Sequence, residues 1–256
     1  AEAGGALDRP EWISAAVAAA DLMLSTHLVD GRLRRGSRNG VVGTAAGVLA
    51  DYAWLIEGLL ALHQVTGADR WLQAATPILE QAQKHFADPE HAGGWFDTAA
   101  DAEVLFRRPA NPTDNATPAG ASALAGALVT ASALTGSDSY RAAAEAAIAR
   151  AGVVPAKAPQ AAGHWLTTAE ALAHGPVQIA VIGPAGDSHR AALEAKARWA
   201  APGGAVVLAG EPGADHPMLI GRDLVTGVSA AYVCHGFVCD RPTTSSEDLY
   251  TQLRGG

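Results

Sequence analysis

Three carboxylates stand where they could do chemistry. Asp51, followed by Tyr52, lies one turn into an otherwise apolar helical stretch. A carboxylate in that setting needs hydrogen-bond partners or an open cavity. It reads as a general acid/base or a ligand for substrate hydroxyls, or else as a first-turn acid favourable to the helix dipole. Asp97 follows Trp95 in a long connecting segment. An aromatic face beside a carboxylate suits a sugar ring, and the competing reading of Trp95 is a packing residue over the end of the helices. Asp114 and Asn115 precede a helix start, where they serve as capping and turn residues or face a ligand. Asp51, Asp97 and Asp114 are therefore the candidate catalytic residues, and Tyr52, Trp95, Asn115 and Arg108 the candidate substrate contacts. Two or three carboxylates at one end of a helix array would supply an acid and a base. Arg108, with Arg107, could pair with them or hold an anionic substrate; a solvated basic patch is the alternative.

Other residues argue against further chemistries. The nine histidines show no His-x-x-x-His with a third partner, so no metal site and no cofactor are expected. His164-Trp165 is the histidine pair with the best setting for function, set against a satisfied helix histidine. Cys234 and Cys239 are too far apart for Cys-x-x-Cys and read as a structural pair, reduced or bridged. Gly183-Pro184-Ala185-Gly186 lacks the Gly-Lys-Ser/Thr ending of a phosphate loop and reads as a plain strand-to-helix turn.

The elements that must position these residues follow a repeated pattern. Gly67-Ala68-Asp69-Arg70-Trp71 and Gly136-Ser137-Asp138-Ser139-Tyr140 each end one helix on a glycine and restart the next on an acid and an aromatic. A looser copy runs from Gly5 through Asp8 to Trp12. Such turns join antiparallel helical hairpins, which must stack to bury their apolar faces. Apolar spacing predicts helices over about 11–28, 48–65, 69–86, 118–134, 138–151 and 159–173. Pro77 predicts a kink or a later start in the third. Thr117 and Pro118 suggest an N-cap and first position for the fourth. Long segments, 29–47 and 87–117, alternate with the tight turns, so the candidate site belongs at the long-loop end. Residues 177–182, 205–209 and 230–234 read as strands, with helices at 188–200 and 246–253. The predicted fold is mainly α: about three hairpins over 1–174, then a small α/β module over 175–256.

Bulk composition limits the partners. The 256 residues are 49% hydrophobic and 17% charged, which predicts a packed core. A formal net charge of −8 with only 18 Lys+Arg excludes a nucleic-acid face. No apolar run is long enough for a membrane helix. Without a leading charged-then-apolar segment, and with two cysteines, a cytoplasmic location is expected.

In its motifs the chain resembles the C-terminal part of the YyaL/spermatogenesis-associated protein 20 family. The resemblance is carried by Leu49-Ala50-Asp51-Tyr52-Ala53-Trp54-Leu55-Ile56-Glu57-Gly58-Leu59-Leu60, Gly93-Gly94-Trp95-Phe96-Asp97-Thr98 and Asp114-Asn115-Ala116-Thr117-Pro118-Ala119-Gly120-Ala121-Ser122. It continues in Ala231-Tyr232-Val233-Cys234, through Cys239 and Pro242, to Glu247 and Leu249. The resemblance implies a thioredoxin-like domain elsewhere and a partial (α/α)6 barrel here, similar to six-hairpin glycosidases and sugar epimerases. It implies a carbohydrate-active or carbohydrate-binding barrel, inactive as an isolated piece. A missing N-terminal half, or a second copy of the chain, would complete the ring. Ala50 and Ala121 depart from the family pattern, which favours the alternative of a non-catalytic scaffold supporting the thioredoxin-like domain.

Overall fold

A computed structural model describes residues 1–103 and 106–255. The chain begins with α1 (Glu2–Ala6) and α2 (Pro10–Leu22), the latter running into a π-helical turn, Met23–His27. Two short antiparallel hairpins follow, β1 (Leu28–Val29) with β2 (Arg32–Leu33) and β3 (Ser37–Arg38) with β4 (Val41–Val42). Then come α3 (Leu49–Thr66), α4 (Asp69–Phe86), α5 (Gly120–Thr135), α6 (Asp138–Ala151), the short α7 (Val153–Lys157) and α8 (Gly163–Ala173). The C-terminal part is β5 (Val177–Ile182), α9 (Ser188–Ala200), β6 (Val206–Gly210), β7 (Ala230–His235), β8 (Val238–Cys239) and α10 (Ser246–Arg254). The fold is mainly α with a small C-terminal sheet unit.

The repeated turns work as their residues dictate. Gly67 and Gly136 close α3 and α5 at φ 65° and 75°, donating their N–H groups to the carbonyls of His63 and Ser132. Only glycine adopts that left-handed geometry without a Cβ penalty. The third predicted helix is continuous across Pro77 from Asp69. Its buried stripe of Trp71, Ala75, Ile78, Leu79, Ala82 and Phe86 offsets the lost backbone bond. The first predicted helix is shorter, because the π turn and β1 take its last residues. The sixth is broken into a 3₁₀ turn, Pro159–Ala161, and α8.

Helices α2, α3, α5 and α8 form an arc whose inner side faces one large cavity, and α4 and α6 pack behind α3 and α5. Alanines and glycine let the arc close up. Nearly every residue of α5 is buried, and a Cβ at Gly120 would come within 2.8 Å of the Ala50 backbone nitrogen.

The sheet order is β6-β5-β7-β8, with β5 and β6 parallel across α9 and β7 antiparallel to β5. Central β5 is buried throughout, so its two faces serve two cores. Ala180, Ile182, Val206 and Leu208 join the helical core. Ile179, Val181, Val207 and Val233 pack on Leu193 and Ala197 of α9 and Leu249 of α10.

Two polar links tie sheet to helices. Buried Gln178 donates to the Ala133 carbonyl at 2.7 Å and accepts from the Phe237 N–H at 2.7 Å. His63 of α3 meets His216 through their Nε2 atoms at 3.1 Å. The Met218 N–H donates to His216 Nδ1 at 3.1 Å, so His216 carries its proton on Nε2 and donates it to His63. His63 then donates from Nδ1 to the Ala68 carbonyl at 3.2 Å. Every ring nitrogen of this neutral pair is satisfied.

Candidate functional site

The inner side of the arc encloses a cavity of about 1160 Å³, open on one side and closed at one end by Arg198, Pro202 and Val207 of the sheet unit. Alanine is the commonest residue in its wall. Of its titratable lining side chains, Glu2, Asp51, Glu57, His164 and Arg198, two come together: Glu57, two turns along α3, and His164, in the first turn of α8. They converge over Gly126 of α5. A Cβ built there would lie 2.9 Å from His164 Nε2 and 3.2 Å from Glu57 Oε1. The missing side chain therefore lets both tips approach the α5 backbone more closely than a Cβ would allow.

The electrostatics of the pair are unusual. Its apolar surroundings, with a smaller contribution from the Glu2 charge, push the Glu57 carboxyl up to about 8. Glu57 thus holds its proton near neutrality. Burial pushes the His164 imidazole down, only partly opposed by the Asp114 charge. His164 Nε2 is buried and has no hydrogen-bond partner. Trp54, 43% exposed, stands beside it with ring centroids 5.9 Å apart. A protonated carboxyl, a neutral imidazole with an unpartnered ring nitrogen and an aromatic face thus meet in the cavity wall. That is a donor, an acceptor and a platform for a polar ring.

The residues singled out by sequence are spread around this centre. Asp51 lines the cavity rim; its carboxylate accepts the Val48 N–H at 2.8 Å and pairs with Arg35 at 3.0 Å. Tyr52 is buried, and its hydroxyl accepts from the Leu33 N–H and Arg32 Nε at 3.0 and 3.1 Å. It thereby pins β2 onto α3. Asp97 holds α3 through its backbone, its carbonyl accepting the Leu49 N–H at 2.9 Å. Its half-buried carboxyl is raised by burial and accepts the Asn111 N–H at 3.1 Å. Trp95, with Pro112 and Trp165, lines a second cavity of about 370 Å³, and Trp95 Nε1 is buried without an acceptor. Arg108 stacks 4.1 Å above the Phe96 ring and donates to the carbonyls of Thr98 and His85. Asn115 is exposed in the turn before α5.

Asp114 has the most consequential position. One oxygen accepts from the Ala119 N–H at 2.9 Å and the Ser122 hydroxyl at 2.6 Å, at the start of α5. The other accepts from the His164 and Trp165 N–H groups at 2.9 and 3.4 Å, at the start of α8. One carboxylate thus caps two helices and sets His164 opposite Gly126. It also explains why α5 starts at Gly120 with Ala119 as N-cap, and not at Pro118 after a Thr117 cap. Asp51 and Asp114 hold helix starts through their carboxylates and Asp97 holds one through its carbonyl, but of the three only Asp51 lines the large cavity.

Glu57 escaped sequence reasoning as a site residue. Its signal was a charged residue with no partner inside Leu55-Ile56-Glu57-Gly58-Leu59-Leu60. Among the described residues no group of three His, Cys, Asp or Glu could hold a metal ion, and no helix is long and apolar enough to cross a membrane.

No family model matches the chain. Spermatogenesis-associated protein 20 of Mus musculus is 32% identical over 108 residues, which is 38% of this chain and 13% of that protein. The Rattus norvegicus protein of the same name is 32% identical over 111 residues, 40% of this chain and 14% of that protein. The matched stretch is therefore a small fraction of those relatives' length. In agreement with its motifs, the chain is similar over about two-fifths of its length to spermatogenesis-associated protein 20.

Proposed function

We propose that the cavity inside the arc binds a carbohydrate-class ligand, a ring bearing several hydroxyls, and that Glu57 and His164 face it as proton donor and acceptor. The observation that carries this reading is the convergence of His164 Nε2 and Glu57 Oε1 on Gly126 in the wall of the large cavity. A ligand hydroxyl there would accept from the protonated carboxyl and donate to the imidazole. Trp54 supplies the face on which a sugar ring stacks, and Asp51 at the rim offers acceptors to further hydroxyls. Asp114 acts as a positioning residue. Because the cavity stands open on one side, binding and not turnover is the property expected of this chain by itself.

A calorimetric titration against monosaccharides and disaccharides tests the reading. Binding should be lost in Glu57→Gln with His164→Gln and in Gly126→Ala, while circular dichroism stays unchanged. Trp95→Ala and Asp97→Asn show whether the smaller cavity contributes. Silence across the panel from a folded chain would refute it. That outcome favours a non-catalytic scaffold, with the groove packed by another part of a longer protein beside its thioredoxin-like domain. The alanine-rich wall, including Ala16, Ala19 and Ala61, is the observation on that side.

A further inference from the structure

The β7–β8 hairpin lies outside the cavity and has chemistry of its own. Cys234 of β7 and Cys239 of β8 are register partners joined as a disulfide. The two residues differ in access: Cys234 is fully buried and Cys239 is exposed. Arg222, from the segment between β6 and β7, lies against both, with Nη2 3.4 Å from Cys234 Sγ and 3.1 Å from Cys239 Sγ. Its Nη1 reaches only the carbonyls of Pro217 and Ile220, at 3.5 and 3.4 Å. Its Nε is buried with no acceptor. Among the described residues none of the ion pairs includes Arg222. A partly buried guanidinium without a counter-ion is unfavourable. It gains an anion only when a neighbouring sulfur becomes a thiolate.

We propose that Cys234–Cys239 is a thiol–disulfide exchange site for low-molecular-weight thiols, with Arg222 as the group that stabilises the released thiolate. The incoming thiolate attacks Cys239 Sγ, on the residue that solvent reaches. The S–S bond breaks, and its electron pair leaves on Cys234 Sγ beside Arg222 Nη2. A second external thiolate attacks the external sulfur of the mixed disulfide. Cys239 Sγ leaves as a thiolate, and the external disulfide departs. Two electrons pass from two small thiols to one protein disulfide, and the protons of those thiols go to solvent or to the cysteines. The reverse sequence closes the bridge.

The test uses the folded chain in glutathione buffers of graded reduced-to-oxidised ratio at neutral pH. Maleimide trapping followed by mass measurement counts the free thiols. The expected result is reversible opening without denaturant. Arg222→Gln should move the midpoint to more reducing buffer by roughly tenfold, through loss of a charge-assisted contact to the thiolate. Arg222→Lys, which keeps the charge, should move it less. Cys234→Ser should leave Cys239 free to form a glutathione adduct, whereas Cys239→Ser should leave Cys234 unmodified in the folded state. In the reduced wild type, the pH profile of alkylation should place a thiol below the ordinary value of about 8.5. A bridge that stays closed at cellular glutathione concentration would overturn the proposal. So would an unchanged midpoint in both Arg222 variants, or, if Arg222→Gln does not fold, an ordinary thiol profile in the wild type.

Discussion

Glu57 carries the largest electrostatic consequence of any single side chain in the helical arc. Its folded carboxyl is raised to about 8 by burial, whereas the unfolded one titrates near the ordinary glutamate value of 4.5. The folded state then binds more protons between those limits, so stability is greatest in acid and is lost as pH rises through about 8. Glu57→Gln removes that loss. It should be more stable than wild type by roughly 2–4 kcal/mol at pH 9 and nearly equal at pH 4, as read by urea denaturation at the two pH values. Gly126→Ala tests the Glu57–His164 arrangement directly. Alanine suits a helix interior better than glycine by about 1 kcal/mol, and the atoms it would crowd are the movable tips of Glu57 and His164. Stability should change by less than about 1 kcal/mol while ligand binding is lost. Glu57 was not readable as a site from the sequence, and His164 stood out only beside Trp165. The signal lies in their pairing, which is created by two helices meeting, and periodicity describes only one helix at a time. Asp51 was conspicuous for the opposite reason: its chemistry is local, with a backbone N–H three residues earlier as partner.

At the scale of elements, the turns were the most readable features, because Gly67 and Gly136 need nothing beyond their own backbone geometry. The helix starts were less so. Asp114 stands well before α5 in sequence and reaches forward to cap both α5 and, far beyond it, α8. A cap from a distant residue leaves no mark at the cap position, and Thr117-Pro118 offered a stronger local signal. Asp114→Ala should therefore free four donors at once and destabilise the fold by roughly 3 kcal/mol or more. Amide hydrogen exchange at His164 and Trp165 should rise together with that at Ala119, since one carboxylate accepts from all three N–H groups. Asp114→Asn keeps acceptor capacity at only one side-chain oxygen and should unfasten one helix start while leaving the other protected. Loss of protection confined to α5 in Asp114→Ala would refute the shared cap.

Over the whole molecule, the helical and sheet parts are joined by buried hydrogen bonds as well as by apolar area. Burial lowers both imidazoles of the His63–His216 link, and their mutual repulsion when charged takes His216 to about 4; Asp69 opposes this only weakly. Below about 6.5 the unfolded chain takes up protons that the folded pair refuses, so stability falls with acid. Two histidines then act against Glu57, whose slope has the other sign. The denaturation midpoint should peak near pH 6.5, and His216→Gln should flatten the acid limb alone. The mainly α class and the order of strands and helices were readable because they rest on apolar spacing. The join was not: β5 is apolar on both faces, and a continuous apolar strand does not say what lies on either side. That two-sided strand has a practical consequence for anyone who shortens the protein. A helical piece ending before β5 would uncover the surfaces that Ile182, Val206 and Leu208 now shield. Such an excised piece should aggregate on expression, and limited proteolysis near Gly175 should leave two fragments that stay associated until denatured.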